Sequence, residues 1–378
     1  MRRTVSIMVA VGFMLIPAIT LGFGSPDGFL FVSGLAQGDL FGQANAHIAE
    51  NFPGRRTLEG WSFAIRVLGG QREYNQIFVS GDELIPVLNP PVHYFVHDNT
   101  QAILMFAEHA GAPVYAMIIP TVSAIRQQSL PYFFLGQSVN QLLFIEEVYA
   151  QMLGRVSTVD AYNALFGVRE QYIFYRTENN LTALGGFHIY YELAGRLLDG
   201  IARPSFQHFD IEHVKYDFLG ELYRRSPFQH VRGDIISIFR YRRVPREYLV
   251  TQLRGGQWRT FHTLFPLHTL EANQSPMDVY LGGLGAKTII TTSSPYRNNL
   301  LVVGDHTALA YLPFLANHYR TITLIDLSQM GLPEYAAVAE LIGAGFYDQI
   351  LFAYSIETYM HRPYPSWAVG LLPPDEDY

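Results

Sequence analysis

Residues 304–306, Gly-Asp-His, stand between an apolar run of strand length and a segment with helical periodicity. A strand, a tight turn containing glycine and a helix form the place where many α/β enzymes hold a nucleophile. This turn offers Asp305 and His306, but neither a serine nor a cysteine. The pattern predicts a position suited to chemistry that lacks the usual nucleophile.

Three more loops follow runs of strand length and carry polar side chains. They hold Thr121 and Ser123 after residues 114–119, Asp160 after residues 156–159, and Glu178, Asn179 and Asn180 after residues 172–175. Ligands of open parallel sheets bind at the carboxyl ends of the strands, so these loops and the Gly-Asp-His turn are expected to share one edge. Arg297, which precedes the strand at 298–303, is a candidate to reach an anion or a sugar, with a solvated loop as the simpler interpretation.

The elements that must position these loops alternate along the chain. The patterns predict strands at 76–79, 114–119, 156–159, 172–175, 287–292, 298–303, 321–325 and 349–353, and helices at 44–68, 99–111, 138–153, 182–198, 307–319 and 335–343. This alternation is typical of a mostly parallel sheet with helices on both faces, a three-layer α/β sandwich. Residues 203–275 are less regular and are expected to form an insertion that covers or frames a site, and residues 366–378 a flexible tail.

Composition limits the function classes. Of 378 residues, 49% are hydrophobic and 16% charged, which favours a large core. The net charge of −7 and the absence of basic runs mixed with aromatics argue against a nucleic-acid partner. The chain has no cysteine, which excludes disulfides, thiolate catalysis and cysteine-ligated metals. Its 24 tyrosines either line a sugar-binding surface or pack in the core and its rim.

The N-terminus predicts export. Arg2 and Arg3 precede twenty uncharged residues, 4–23, which are long enough as a helix to cross a bilayer. Basic residues before an apolar segment favour an N-terminus inside the cytoplasm. Residues 1–25 are therefore expected to be a signal peptide or an N-terminal membrane anchor, with a tether at 26–43. Either interpretation places the rest of the chain outside the cytoplasm, secreted or membrane-anchored.

Several segments, in this order and spacing, resemble the DHHW family, which belongs to the SGNH-hydrolase-like group that includes alginate O-acetylation proteins. They are FPGR at 52–55, IIPT at 118–121, LP at 130–131, YRTENNLTALGGFHIYYEL at 175–193, DFLGELYRRS at 217–226 and VVGDHTALAYLPFLANHYRTITLID at 302–326. The resemblance implies an SGNH-hydrolase-like domain over 44–365. It also implies work at the cell envelope on surface polysaccharide.

The family pattern reads YRTDHHWT where this chain has YRTENNLT, and GDS where it has GDH. Carried over by position, the acid falls on Glu178, the base on Asn180 and the nucleophile on His306. An amide cannot take a proton at neutral pH, and an imidazole does not carry an acyl group as a serine does. The resemblance therefore implies a site whose base and nucleophile are both substituted.

Three hypotheses follow from these substitutions. In the first, the cleft is catalytically impaired and binds a glycan or envelope proteins. In the second, His306 acts as a base with a hydroxyl from Thr307, Thr182 or Ser123, in an acyl esterase or O-acetyltransferase. In the third, His306, Glu178 and Asp305 hold a metal. The first is our prediction, with Asp305, Thr121, Thr182 and Arg297 as binding residues. We expect no cofactor and no metal.

Overall fold

A computed structural model of the chain describes residues 73–130, 138–198, 200–226, 231–242, 246–270 and 275–372. The N-terminal segment, the tether, the helix predicted at 44–68 and residues 373–378 lie outside these ranges. Among the described residues, no helix combines the length and the apolar character that crossing a bilayer requires.

Thirteen strands are described. They are β1 Glu73–Tyr74, β2 Ile77–Ser80, β3 Glu83–Pro86, β4 Val114–Ile119, β5 Ser157–Val159, β6 Phe209–Phe218, β7 Asp234–Tyr241, β8 Tyr248–Arg254, β9 Gln257–Phe261, β10 Lys287–Thr292, β11 Asn299–Gly304, β12 Thr321–Ile325 and β13 Gln349–Ser355. The first three form a small antiparallel sheet. The strands predicted at 114–119, 287–292 and 321–325 are confirmed with the same bounds.

The main sheet has eight strands in the order β5-β4-β13-β11-β12-β10-β8-β9. The five from β5 to β12 run parallel, and β10, β8 and β9 add an antiparallel edge. The central strands are continuous apolar runs, such as LLVV in β11 and ILFAY in β13, and they are buried on both faces. Such runs form because helices cover both sides of a parallel sheet. The predicted mostly parallel α/β sheet is confirmed.

Nine α-helices are described. They are α1 His93–His109, α2 Val122–Ile125, α3 Gln141–Met152, α4 Ala161–Phe166, α5 Ala183–Leu197, α6 Glu221–Arg225, α7 Ala308–Leu315, α8 Leu332–Gly343 and α9 Ile356–His361. Contacts gather them into two groups: α1 packs with α3, α9 and a 3₁₀ helix at Tyr364–Leu371 that also meets α8, whereas α5 packs with α4 and α7. The arrangement is a three-layer sandwich with the main sheet in the middle.

Residues 172–175 were predicted as a strand, and this prediction is wrong. Phe174 makes only an isolated bridge to Leu181. The chain doubles back here, because the Tyr175 amide donates to the Asn180 carbonyl and the Thr182 amide to the Ile173 carbonyl. The backbone groups that a sheet would satisfy are therefore satisfied within the loop.

The stretch predicted as an irregular insertion at 203–275 is more regular than expected. Strands β6 and β7 form a separate two-stranded sheet, while β8 and β9 extend the main sheet. Residues 366–371 of the predicted tail are not flexible, since they belong to the 3₁₀ helix and Ala368 and Leu371 are fully buried. Apolar contacts made far along the chain hold both segments.

Candidate functional site

The carboxyl ends of β4, β11 and β13 meet at one edge of the main sheet. In the parallel register Gly304 pairs with Ala353 and Ile119 with Ser355. The residues that follow, Thr121 and His306, therefore lie beside Ser355. This is the edge at which the sequence predicted a site, as the general behaviour of parallel sheets requires.

Asp305 holds this edge together. One carboxylate oxygen accepts hydrogen bonds from the Thr307 amide at 3.1 Å and the Thr307 hydroxyl at 2.6 Å. The other accepts from the Ser355 amide at 2.9 Å and the Ser355 hydroxyl at 2.7 Å. Burial by itself raises the pKa of Asp305, but His306 and these hydrogen bonds outweigh it and hold the pKa below its usual value. Asp305 is thus a buried anion that fixes the turn under His306.

A second buried carboxylate, Asp234 at the start of β7, shapes the loop that carries Glu178. It accepts hydrogen bonds from the Arg176 amide at 2.7 Å, the Thr177 amide at 2.9 Å, and the Tyr172 and Thr177 hydroxyls. The side chain is fully buried. The sequence reasoning missed this residue, because nothing local marks an aspartate that precedes an apolar strand as the anchor of a loop about 60 residues earlier.

Glu178 itself is hydrogen-bonded to the first residue of the short helix α6. Its carboxylate accepts from the Glu221 amide at 2.8 Å and the Asn179 amide at 3.2 Å. Burial raises the pKa of Glu178; these two hydrogen bonds and Arg224 lower it, and Glu221 adds to the rise. Glu178 therefore holds its proton more readily than a glutamate in water does.

Gly220 makes this close approach possible. The Gly220 amide donates to the Thr177 hydroxyl at 2.9 Å. A Cβ atom added at Gly220 would lie 2.4 Å from the Thr177 carbonyl oxygen and 2.6 Å from the Glu178 Cβ. Any larger residue would therefore push the loop away from α6.

The three predicted catalytic positions converge. Glu178, Asn180 and His306 all line a cleft of about 560 Å³. The same three residues also line an adjoining cavity of about 390 Å³ on the side of α6 and β8. They therefore lie at the boundary between the cleft and this cavity. Their chemical roles stay a prediction; the structure shows that all three line the same cleft.

The predicted binding residues divide between the cleft and other places. Thr121 lines the cleft, and its hydroxyl accepts from the Gln141 amide group at 2.7 Å. Asp305 lies beneath the cleft. Thr182 caps α5 instead, accepting from the Gly185 amide at 3.2 Å and donating to the Tyr172 carbonyl at 2.6 Å. Arg297 is exposed at the amino end of β11, the opposite end from His306, and lines neither cavity.

The three hydroxyls considered as replacement nucleophiles are engaged elsewhere. The Thr307 hydroxyl bonds to Asp305, the Thr182 hydroxyl to the Tyr172 carbonyl, and the buried Ser123 hydroxyl to the Thr121 hydroxyl at 2.8 Å. The hydroxyl that sequence reasoning missed is Ser355, which lines the cleft. It was missed because the strand was predicted to end at residue 353, whereas β13 runs to Ser355.

The metal hypothesis finds no support in the described part of the chain, where no group of three histidine or carboxylate side chains is placed to hold an ion.

Most tyrosines of the described residues are buried or half-buried in the protein interior. Six of the largest fully buried side chains are tyrosines, at positions 175, 190, 311, 319, 354 and 359. Among the described residues that line the cleft there is no phenylalanine, tyrosine or tryptophan, so a sugar in it would be held mainly by hydrogen bonds rather than by stacking on such rings.

The fold and the arrangement of this edge place the chain in the SGNH-hydrolase-like class of α/β proteins. Within that class, the model of the DHHW protein family matches residues 94–324, which is more than half of the chain. The chain belongs to the DHHW family.

Solved structures share the fold. A DHHW family protein from Eubacterium siraeum superposes with a TM-score of 0.66 at 17% identity, covering 80% of this chain and 98% of that one. PatB1 of Bacillus cereus, in a structure with a sulfonyl adduct, gives a TM-score of 0.63 at 14% identity, covering 78% and 98%. At such identities the likeness establishes the fold alone. No curated protein matches the sequence.

Proposed function

We propose that this DHHW-family protein is an extracytoplasmic glycan-binding or envelope-assembly protein whose cleft no longer supports the serine-histidine reaction. The observation that carries the proposal is the lining of the cleft. An amide, Asn180, and an imidazole, His306, occupy the positions where the family pattern has the base and the nucleophile, and both face the same space. Loss of two members of a unit that acts together removes nearly all of its rate enhancement.

The polar lining of the cleft supports binding. It contains the planar amide side chains of Asn75, Gln76, Asn89 and Asn179, and the guanidinium groups of Arg225 and Arg362. An amide offers a donor beside an acceptor and a guanidinium offers paired donors, and both arrangements suit neighbouring hydroxyls on a sugar. A volume of about 560 Å³ is within the usual range for a small-ligand site.

The test is an ester assay on the full-length protein, purified in a non-ionic detergent because residues 4–23 are apolar. Chromogenic acetyl ester should be hydrolysed no faster by the protein than by buffer, and His306→Ala should behave identically. Turnover clearly above buffer that disappears in His306→Ala would overturn the proposal. Thermal unfolding of both proteins verifies that the variant is folded.

A restored variant tests whether the cleft keeps its geometry. The double substitution Asn180→His and His306→Ser places the family residues at both positions, and we expect esterase activity in the double variant only. PatB1 has been captured with a sulfonyl adduct, so a sulfonyl fluoride offers a second readout. Mass spectrometry should find the adduct at residue 306 in the double variant and not in the parent.

The alternative is an acyl esterase or O-acetyltransferase that acts on cell-surface polysaccharide with a rearranged site. One observation favours it: Ser355 lines the same cleft as His306, which the three hydroxyls considered above do not. To attack an ester, the Ser355 hydroxyl would have to leave Asp305, to which it donates. In that case the parent protein should hydrolyse the ester, and Ser355→Ala and His306→Ala should each abolish the activity.

A further inference from the structure

A second pocket, of about 260 Å³, lies at the far end of α7 from the cleft. Helix α7 begins two residues after His306, and Pro313 and Asn317 at its other end line this pocket. Eight residues of helix span about 12 Å, so the pocket is separate from the cleft. Its walls are largely aromatic, formed by Phe239, Tyr241, Tyr248, His262 and Phe265.

Arg246 gives this pocket a positive charge with which no carboxylate of the described residues is paired. Its Nε and one terminal nitrogen are buried and have no hydrogen-bond partner. Arg240, which also lines the pocket, is paired with Glu212 at 3.0 Å, whereas within the described residues no carboxylate forms an ion pair with Arg246. Buried N–H groups without a hydrogen-bond partner are costly, so an anion in the pocket would satisfy donors that no described residue satisfies.

The lining differs in charge from the cleft, where carboxylates stand beside the guanidinium groups of Arg225 and Arg362. The cleft includes the carboxylates of Glu178, Glu221 and Glu357. The residues described around the second pocket include two arginines and a histidine but no aspartate or glutamate. The neighbouring His318 adds no charge at pH 7, because burial and then the charge of Arg246 lower the pKa of His318 to about 4.

The aromatic walls specify the rest of the ligand. The guanidinium of Arg246 lies 6.0 Å from the centre of the Tyr241 ring. The Tyr248 hydroxyl donates to the Asn317 side-chain oxygen at 3.0 Å, which holds that ring in place. Flat apolar walls beside a planar cation suit a ring that carries a carboxylate, since the ring packs on the walls while the carboxylate bonds to the guanidinium.

We propose that the pocket around Arg246 binds a small carboxylate attached to a ring. Two sources share this chemistry, an aromatic acid and an acidic sugar. Isothermal titration of the full-length protein with benzoate and with glucuronate distinguishes these two kinds of ligand. Glucose, which lacks the charge, and inorganic phosphate, which lacks the ring, serve as control ligands. At least one of the two carboxylates should bind at a single site, about tenfold or more tightly than glucose and phosphate.

Variants locate the binding. Arg246→Met keeps the length of the side chain and removes its charge, so the carboxylate should bind about tenfold or more weakly. His262 is exposed at the rim, and His262→Glu brings a competing carboxylate to Arg246 with little risk to folding; it should weaken binding similarly. Arg155→Met is the matched control, because Arg155 is exposed, pairs with Glu108 and does not line the pocket.

Three results with the ligands and the pocket variants would each overturn the proposal. They are equal binding of glucose or phosphate, no binding of either carboxylate at millimolar concentration, and carboxylate binding that persists unchanged in both Arg246→Met and His262→Glu. A loss of equal size in Arg155→Met would do the same, since it would show a general effect of surface charge.

Discussion

At the scale of single residues, two carboxylates at the cleft titrate in opposite directions. Asp305 has four hydrogen bonds and its pKa lies below the usual value; Glu178 has two and burial raises its pKa. Compared with the unfolded chain, the folded protein therefore favours the anionic form of Asp305 and disfavours the anionic form of Glu178. Asp305 stabilises the fold at neutral pH, whereas the charge of Glu178 costs stability there.

Asp305→Asn should destabilise the protein at pH 7 by about 1–3 kcal/mol. The NH2 group of the new side chain cannot accept hydrogen bonds, so the donors of either Thr307 or Ser355 would lose their acceptor. The effect depends on pH with a definite sign. A carboxylate whose folded pKa is depressed contributes fully above its unfolded pKa of about 4, and loses that contribution as the pH falls through the folded pKa. The difference between parent and variant should therefore shrink below about pH 4, as urea unfolding at several pH values will measure.

Asp98→Asn is the matched control for this experiment. Asp98 lies on α1 with an exposed side chain, so the same chemical change there should alter the unfolding free energy by about 0.5 kcal/mol or less. Equal stability of Asp305→Asn and the parent at pH 7 would contradict the assigned role of Asp305.

At the scale of elements, the site depends on a segment that enters from outside the parallel sheet. Two contacts hold the loop that carries Glu178: its backbone amides donate to Asp234 on β7, and the Glu178 carboxylate accepts from the first residue of α6. Both belong to the stretch predicted as an insertion that frames a site. The cavity residues Glu221, Leu222 and Arg225 come from α6, so this stretch does frame the cleft.

Gly220→Ala should loosen this frame. The new Cβ would meet the Thr177 carbonyl oxygen and Glu178 Cβ at distances that real atoms do not adopt, so the loop must shift. We expect a loss of about 1–3 kcal/mol in the free energy of unfolding, measured with urea. Gly167→Ala is the control: its Cβ would lie 3.4 Å from the Asn163 carbonyl oxygen, and its φ of −61° suits alanine. Equal losses in the two variants would refute the close packing at Gly220.

At the scale of the whole molecule, helix α7 runs between two cavities with different linings. The cleft at its start is lined by carboxylates and amides, and the pocket at its end by aromatic rings and arginines. The helix is wholly buried, with all eight residues from Ala308 to Leu315 inside. A substitution in its middle should therefore disturb both regions, whereas the variants chosen above each touch one.

The proposed location of the protein is tested at this scale. When it is expressed in a bacterial host, protease added to spheroplasts should degrade the domain, which is outside the cytoplasm on our interpretation of residues 1–25. A retained anchor predicts that the intact mass of protein from the membrane fraction includes residues 1–25; a cleaved signal predicts a mass that begins near residue 25. Protection of the domain from protease in spheroplasts, but not in lysed cells, would contradict export.

Much of the fold follows from the sequence, because the parallel strands are encoded locally. The run VYAMII is apolar throughout, and TITLI alternates threonines with isoleucine and leucine, so both have the length and composition of a strand. The turn at 304–306 was recognised in the same way, from a strand, a glycine and a helical rhythm. The resemblance to the DHHW family then brought Glu178, Asn180 and His306 together before any contact was known.

Only the tertiary structure decided what surrounds those residues. Asp234 and Gly220 shape the loop of Glu178 across 40 to 60 residues of sequence, and Ser355 enters the cleft because β13 pairs with β4 up to Ile119. Contacts of this kind depend on where distant segments meet, and no local periodicity records it. The same reason explains why residues 172–175 close on their own loop instead of joining the sheet. The sequence determined most of the strands and the chemistry of the turn, and the packing decided which side chains share a space.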